Sequence, residues 1–195
     1  GLFERPEKRG KPGCFGCAAH LDASLRVARE SITLLKNDGA LPLGESIRRI
    51  SVIGPNADDI RAQYGDWTYF THPAANPHKD PVRPYVTLLE GMRALADARG
   101  AAICYHQGCG VLESEADDLD GAVEAARGSD AIVLAVGDVI EQAGEFKDRA
   151  NLALSGRQEA LFECLATLSI PIVTVLVSSK PLCVPRVVAG SSAFL

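Results

Sequence analysis

Four short apolar runs, at residues 50–53, 101–105, 132–136 and 172–177, are separated by stretches whose apolar residues recur at helical spacing. Within most of these runs successive residues are apolar, not every second one. A strand with one wet face alternates; a strand that is apolar throughout is buried on both faces. Strands that alternate with helices pair in parallel, because each crossover returns the chain to the same end of the sheet. The pattern predicts an α/β fold, with a mostly parallel sheet sandwiched between helices on both faces.

The helices carry their own signals. Leu25, Ala28, Ile32 and Leu35 form one stripe in a helix starting at Asp22 and closed by Asn37-Asp38-Gly39. Thr87 and Glu90 have the spacing of a capping box, and Leu88, Leu89, Met92 and Leu95 follow on the inward face. A third helix covers 119–127. Ser155 and Gln158 repeat the capping-box spacing ahead of a helix over 156–168 that buries Leu161, Phe162, Leu165 and Leu168. Residues 187–195 begin a fifth strand. Residues 1–20, rich in Gly, Pro and charge, read as a connecting arm. Residues 56–85 form a long polar loop carrying Trp67, Tyr69, Phe70, His72 and His78. Loops of that length are usually functional or disordered.

Charge narrows the partners. The 195 residues carry a formal net charge of −5 and no Lys/Arg cluster, which argues against nucleic acid and against an anionic membrane. No apolar run approaches the roughly 20 residues of a membrane span. The first residues hold neither an initiator Met nor an apolar signal core, and the last are apolar, so the chain reads as a piece of something longer. Of the six cysteines only Cys14 and Cys17 are close, and with His20 nearby they still lack the ligands of a zinc site. Cys104, Cys164 and Cys183 read as small core residues, and this usage leans towards a reducing, cytoplasmic compartment. Gly108-Cys109-Gly110 lacks the third glycine of a dinucleotide fingerprint and sets Glu113 where a pyrophosphate would lie. Neither cofactor nor metal is expected.

The chemistry-bearing stretch is Gly144-Glu145-Phe146-Lys147-Asp148-Arg149, which leaves the carboxyl end of the third run. Open α/β sheets gather their binding chemistry there. Glu145 is the candidate catalytic residue, although the same spacing also describes an ordinary exposed carboxylate. Asp148 and Arg149 are candidate loop-positioning residues, since an Arg holds a loop through a carboxylate or free carbonyls. Asp66 and Trp67 are candidate substrate-binding residues. An exposed Trp stacks on sugar rings, or else anchors its loop to the domain. His72 and His78 read as solvated.

Several stretches together resemble one known family. They are Ala28-Arg29-Glu30-Ser31-Ile32-Thr33-Leu34-Leu35-Lys36-Asn37 with Leu41-Pro42-Leu43, then Val52-Ile53-Gly54-Pro55-Asn56-Ala57 and Tyr64-Gly65-Asp66-Trp67. Val136-Gly137-Asp138, Gly144-Glu145 with Asp148-Arg149, and Lys180-Pro181-Leu182 follow in order. In this order they are similar to the second domain of glycoside hydrolase family 3, of β-glucosidase or β-xylosidase type. The resemblance implies an α/β sandwich at 22–195, incomplete at its C-terminal end, after an arm at 1–21 leading from a (β/α)₈ barrel. It implies a retaining exo-acting β-glycosidase whose nucleophile is on the barrel and whose general acid/base is Glu145. The substrate would be a β-linked oligosaccharide or aryl glycoside, and this chain alone would be inactive. Phe146 stands where the family commonly has Gly, and Ser155 where it often has Pro. The alternative is a non-catalytic module of similar fold that binds carbohydrate or protein.

Overall fold

The computed structural model describes residues 4, 15–68, 84–112 and 116–195. Tyr69, Phe70, His72, His78, Cys14 and Glu113 lie outside the described residues. The chain divides into two compact units, Gly1–Thr33 and Leu34–Leu195. The first contains helix α1, Ala18–Ser31. This helix both starts and stops earlier than its apolar stripe predicts. Ile32 already has extended backbone (φ −67, ψ 122), so Ile32 and Leu35 are not on the helix at all. A β-branched pair, Ile32-Thr33, favours that change to extended chain.

The second unit is built on a six-stranded sheet. Its strands are β1 (Lys36–Asn37), β2 (Arg49–Ile53), β3 (Ala102–His106), β4 (Ala131–Gly137), β5 (Ile172–Val177) and β6 (Ala193–Phe194). Their order is β1-β6-β5-β4-β2-β3, parallel except where β1 meets β6. Helices α2 (Ile60–Tyr64), α3 (Leu88–Arg99), α4 (Leu119–Ala126), α5 (Gln158–Ala166) and α6 (Pro185–Gly190) connect them.

Alternate residues of the strands feed two separate cores. Ile53, Ile132, Leu134, Val136 and Ile172 face Ala122 and Ala126 of α4, Leu161, Phe162 and Leu165 of α5, and Val187 of α6. Ile50, Val52, Val133, Ala135 and Val173 face Leu89 of α3 and the 40–47 segment. All seven residues of β4 are buried. Both faces are therefore covered, which is why the strands can be apolar at every position. The mostly parallel, two-faced α/β sandwich is the architecture expected.

Details depart from the sequence reading. The 56–85 loop contains a helix, the five-residue α2, capped by the Asp59 carboxylate accepting from Arg61 N and Ala62 N. Leu95 of α3 is 67% exposed because the 41–48 segment leaves an open groove beside it. Residues 185–190 are helical, so only Ala193–Phe194 of the expected last strand pairs with its neighbours. Cys183 is exposed and is no core residue. No helix among the described residues is long and apolar enough to cross a membrane.

One topological feature positions the site. From β2 the chain moves outward to β3, then crosses back to β4 on the other side of β2. The switch point is between β2 and β4, and the loops leaving their carboxyl ends must diverge there.

Candidate active site

Those two loops meet again above the switch point. After β2, α2 ends at Gly65 (φ 76), which hands the chain to Asp66. The Asp66 side chain is only 12% exposed, and its Oδ1 lies 3.4 Å from Lys147 Nζ in the loop after β4. Lys147 Nζ also donates to the Ile140 carbonyl at 2.7 Å. Gly144, at φ +107, presents bare backbone to the same carboxylate, and any Cβ there would overlap Asp66 Oδ2. Asp66 thus touches the β4 loop at 144 and at 147, on either side of Glu145. Glu145 itself is exposed. Phe146 follows at φ +62 with its side chain outside, 92% exposed. Positive φ is a strained conformation for a bulky residue.

Below this tip the loop is bound down. Asp138, the first residue after β4, has a side chain 2% exposed. Its Oδ1 accepts from Arg149 Nη1 and its Oδ2 from Ser178 Oγ at 2.8 Å. Arg149 Nη2 donates to the Ala153 carbonyl at 2.6 Å and to Ser155 Oγ at 2.9 Å. Lys180 Nζ donates to the carbonyls of Gln142 and Lys147, the latter at 2.6 Å. At the far end Gln158, fully buried, accepts from Gly137 N at 2.8 Å and donates to Gly137 O at 2.9 Å and Ser155 O at 3.0 Å. Its amide takes the place of a strand neighbour at the end of β4. The expected capping box at Ser155 and Gln158 therefore does not form. Arg157 is the N-cap of α5 with no side-chain cap, because both expected members serve the loop instead.

Asp66 and the Glu145 loop, picked out separately in the sequence, are adjacent. Arg149 is at the centre of the network. Trp67, beside Asp66, is 66% exposed. Asp148 is exposed and takes no part in these bonds. Asp138, Gln142, Lys147, Ser178 and Lys180 were missed as contributors. Asp138 and Ser178 each directly follow a strand's carboxyl end, and that position was the signal available for them. No group of three or more His, Cys, Asp or Glu among the described residues is arranged to hold a metal ion. Three acidic residues of this loop, Glu141, Glu145 and Asp148, are exposed, and of these Glu145 is the one that lies between the two residues, 144 and 147, that meet Asp66.

Comparison with known proteins gives this geometry a family. Residues 32–195 match the glycosyl hydrolase family 3 C-terminal domain. A β-xylosidase of Formosa agariphila is 34% identical over 169 residues, 86% of this chain and 22% of its own length. A periplasmic β-glucosidase of Salmonella typhimurium is 33% identical over 185 residues, 84% of this chain and 23% of its own. The solved structure of a β-glucosidase from intestinal bacteria, involved in saponin metabolism, has a TM-score of 0.78 at 37% identity. It covers 90% of this chain, which in turn covers 27% of that one. The chain thus spans less than a quarter of the length of these two sequence relatives. With the domain match running from the end of α1 to Leu195, this chain belongs to glycoside hydrolase family 3, as a C-terminal domain of that family.

Proposed function

We propose that the chain supplies the general acid/base, Glu145, of a retaining exo-acting β-glycosidase that removes terminal β-linked glucose or xylose. The β-xylosidase and β-glucosidase relatives support that substrate class. Its partner is a (β/α)₈ barrel carrying the nucleophile, joined through residues 1–21. The observation that carries this reading is the way the 138–157 loop is held. Asp138, Arg149, Lys180 and Gln158 fix its base, and of its exposed carboxyls, Glu141, Glu145 and Asp148, only Glu145 lies between residues 144 and 147, both held against Asp66.

The chemistry requires such a division. A retaining glycosidase uses two carboxyl groups about 5–5.5 Å apart, one attacking the anomeric carbon and one protonating the leaving oxygen. The acid keeps its proton near neutral pH when burial and a second carboxylate raise its pKa. A barrel closing over the carboxyl edge of the sheet would supply both influences. Trp67, exposed beside Asp66, is the proposed sugar-stacking residue of this domain.

The test is Glu145→Ala in the full-length protein. General acid/base assistance contributes about 10²–10⁴-fold, and it matters most when the leaving group is poor. Cleavage of disaccharides should fall by that order while activated aryl glycosides still form the glycosyl-enzyme. Azide, which needs no base, should then speed turnover and yield a β-glycosyl azide. Equal slowing of good and poor leaving groups, with no azide effect, would assign the acid/base elsewhere and favour a binding module.

A further inference from the structure

We infer that Asp66 is a positioning residue for the Glu145 loop and not a substrate ligand; the inference rests on the acid/base reading of Glu145. Three observations lead there. The Asp66 side chain is 12% exposed, which leaves little of it for a sugar hydroxyl. It is turned towards the β4 loop, with Oδ1 3.4 Å from Lys147 Nζ. Its Oδ2 occupies the space that a Cβ on residue 144 would need, so the two loops interlock by shape as well as by charge.

The consequence follows from the geometry. Residues 144 and 147 bracket Glu145, so fixing both leaves the intervening carboxyl little freedom along the loop. Lys147 adds a second tie, to Ile140 in the loop's ascending limb. Lys180 holds the Lys147 carbonyl from below at 2.6 Å. The β2 loop is in this way the outer wall of the β4 loop, across the point where the two strands' connections diverge. A general acid works only when its proton points at the leaving oxygen, and a misplacement of about 1 Å can cost on the order of 10²-fold. Loss of Asp66 leaves the carboxyl present but misdirected.

The experiment compares Asp66→Ala, Asp66→Asn, Gly144→Ala and Lys147→Ala in the full-length protein. Each is assayed on a disaccharide and on an activated aryl glycoside, with amide hydrogen exchange followed over residues 140–149. Asp66→Ala should lower kcat/KM on the disaccharide about 10–100-fold, while kcat/KM on the activated aryl glycoside, whose glycosylation needs little help from an acid, should stay within about twofold. Asp66→Asn keeps the shape against Gly144 and should restore most of the loss. Gly144→Ala, which builds a Cβ into the same contact, should reproduce the Asp66→Ala pattern. Asp66→Ala and Lys147→Ala should combine less than additively, because they remove one contact. Exchange should quicken at 140–149 while α3 and β3 stay unchanged. A rise in KM for both substrates with kcat unchanged would make Asp66 a substrate ligand and overturn the inference. Unchanged exchange at 140–149 in both Asp66→Ala and Gly144→Ala would overturn it equally. If Glu145→Ala shows no leaving-group dependence while Asp66→Ala still loosens 140–149, the acid reading falls and the tie between the loops stands.

Discussion

Asp138 and Arg149 are a buried ion pair at 2% and 14% side-chain exposure, and such a pair is costly to break on one side. Desolvation has already been incurred by both groups, so removing the carboxylate leaves a guanidinium with a missing partner in a poorly solvated place. Asp138→Ala should therefore lower stability by about 3–5 kcal/mol, read as a fall in the urea midpoint. Arg186 and Glu163, an ion pair 3.1 Å apart but 77% and 56% exposed, should contribute close to nothing by the same measurement. The contrast shows why a pair's surroundings matter more than its distance. Arg149 was readable in the sequence as a residue that needs acceptors on a loop, but its main partner was not. Asp138 lies eleven positions before it, and no local spacing rule links two residues across an irregular loop. Only the end of β4 and the Ser178 hydroxyl from the end of β5 put that carboxylate in reach.

Elements were legible where their determinants are local. Thr87 and Glu90 form the reciprocal capping box their spacing predicts, with Glu90 N donating to Thr87 Oγ1 at 3.2 Å and Thr87 N to Glu90 Oε2 at 2.9 Å. Ser155 and Gln158 have the same spacing, yet tertiary partners draw both side chains away: Arg149 and Gln142 engage Ser155, and Gly137 engages Gln158. Sequence spacing cannot distinguish a cap from a side chain committed to a distant loop. Residues 187–195 misled for another reason, since Val187 and Val188 have strand propensity but pack as α6 against the sheet. One exposed residue joins two elements in a pH-dependent way. The Asp130 carboxylate accepts from Arg48 N at 2.7 Å and Arg49 N at 2.8 Å, tying the start of β2 to the turn before β4. Those bonds hold its pKa below the ordinary Asp value. A carboxyl whose folded pKa is depressed stabilises the fold above its unfolded pKa, roughly 3.9, and loses that contribution as pH falls through the folded value. Asp130→Asn should flatten the acid limb of a stability–pH profile in that window, and an unaltered limb would show the bonds to be inconsequential.

At the scale of the whole molecule, the question is whether this chain can act by itself. The double-displacement route needs a second carboxylate free to attack carbon, within about 5–5.5 Å of the acid. Two carboxylates of these loops are already engaged. Asp66 is tied to Lys147, and Asp138 is enclosed by Arg149 and Ser178. A carboxylate neutralised by a cation is a poor nucleophile, and a buried one cannot reach substrate. Glu141 and Asp148 are exposed, but on the same loop as Glu145 neither has anything to hold it opposite that carboxyl across a sugar ring. Glu145, the proposed acid, could give a proton to an oxygen, yet with no carboxylate among the described residues held against it the bond has no covalent intermediate to pass through. The chain as given should show no turnover of an aryl β-glycoside above the buffer rate, at concentrations where the full-length protein is readily measured. Preparations should be compared with and without Glu145→Ala, so that a contaminating hydrolase is recognised by its indifference to the substitution. Turnover that disappears with Glu145→Ala in the purified chain would mean that a second carboxylate of this chain serves as nucleophile, and Asp66→Asn and Asp148→Asn would then identify it.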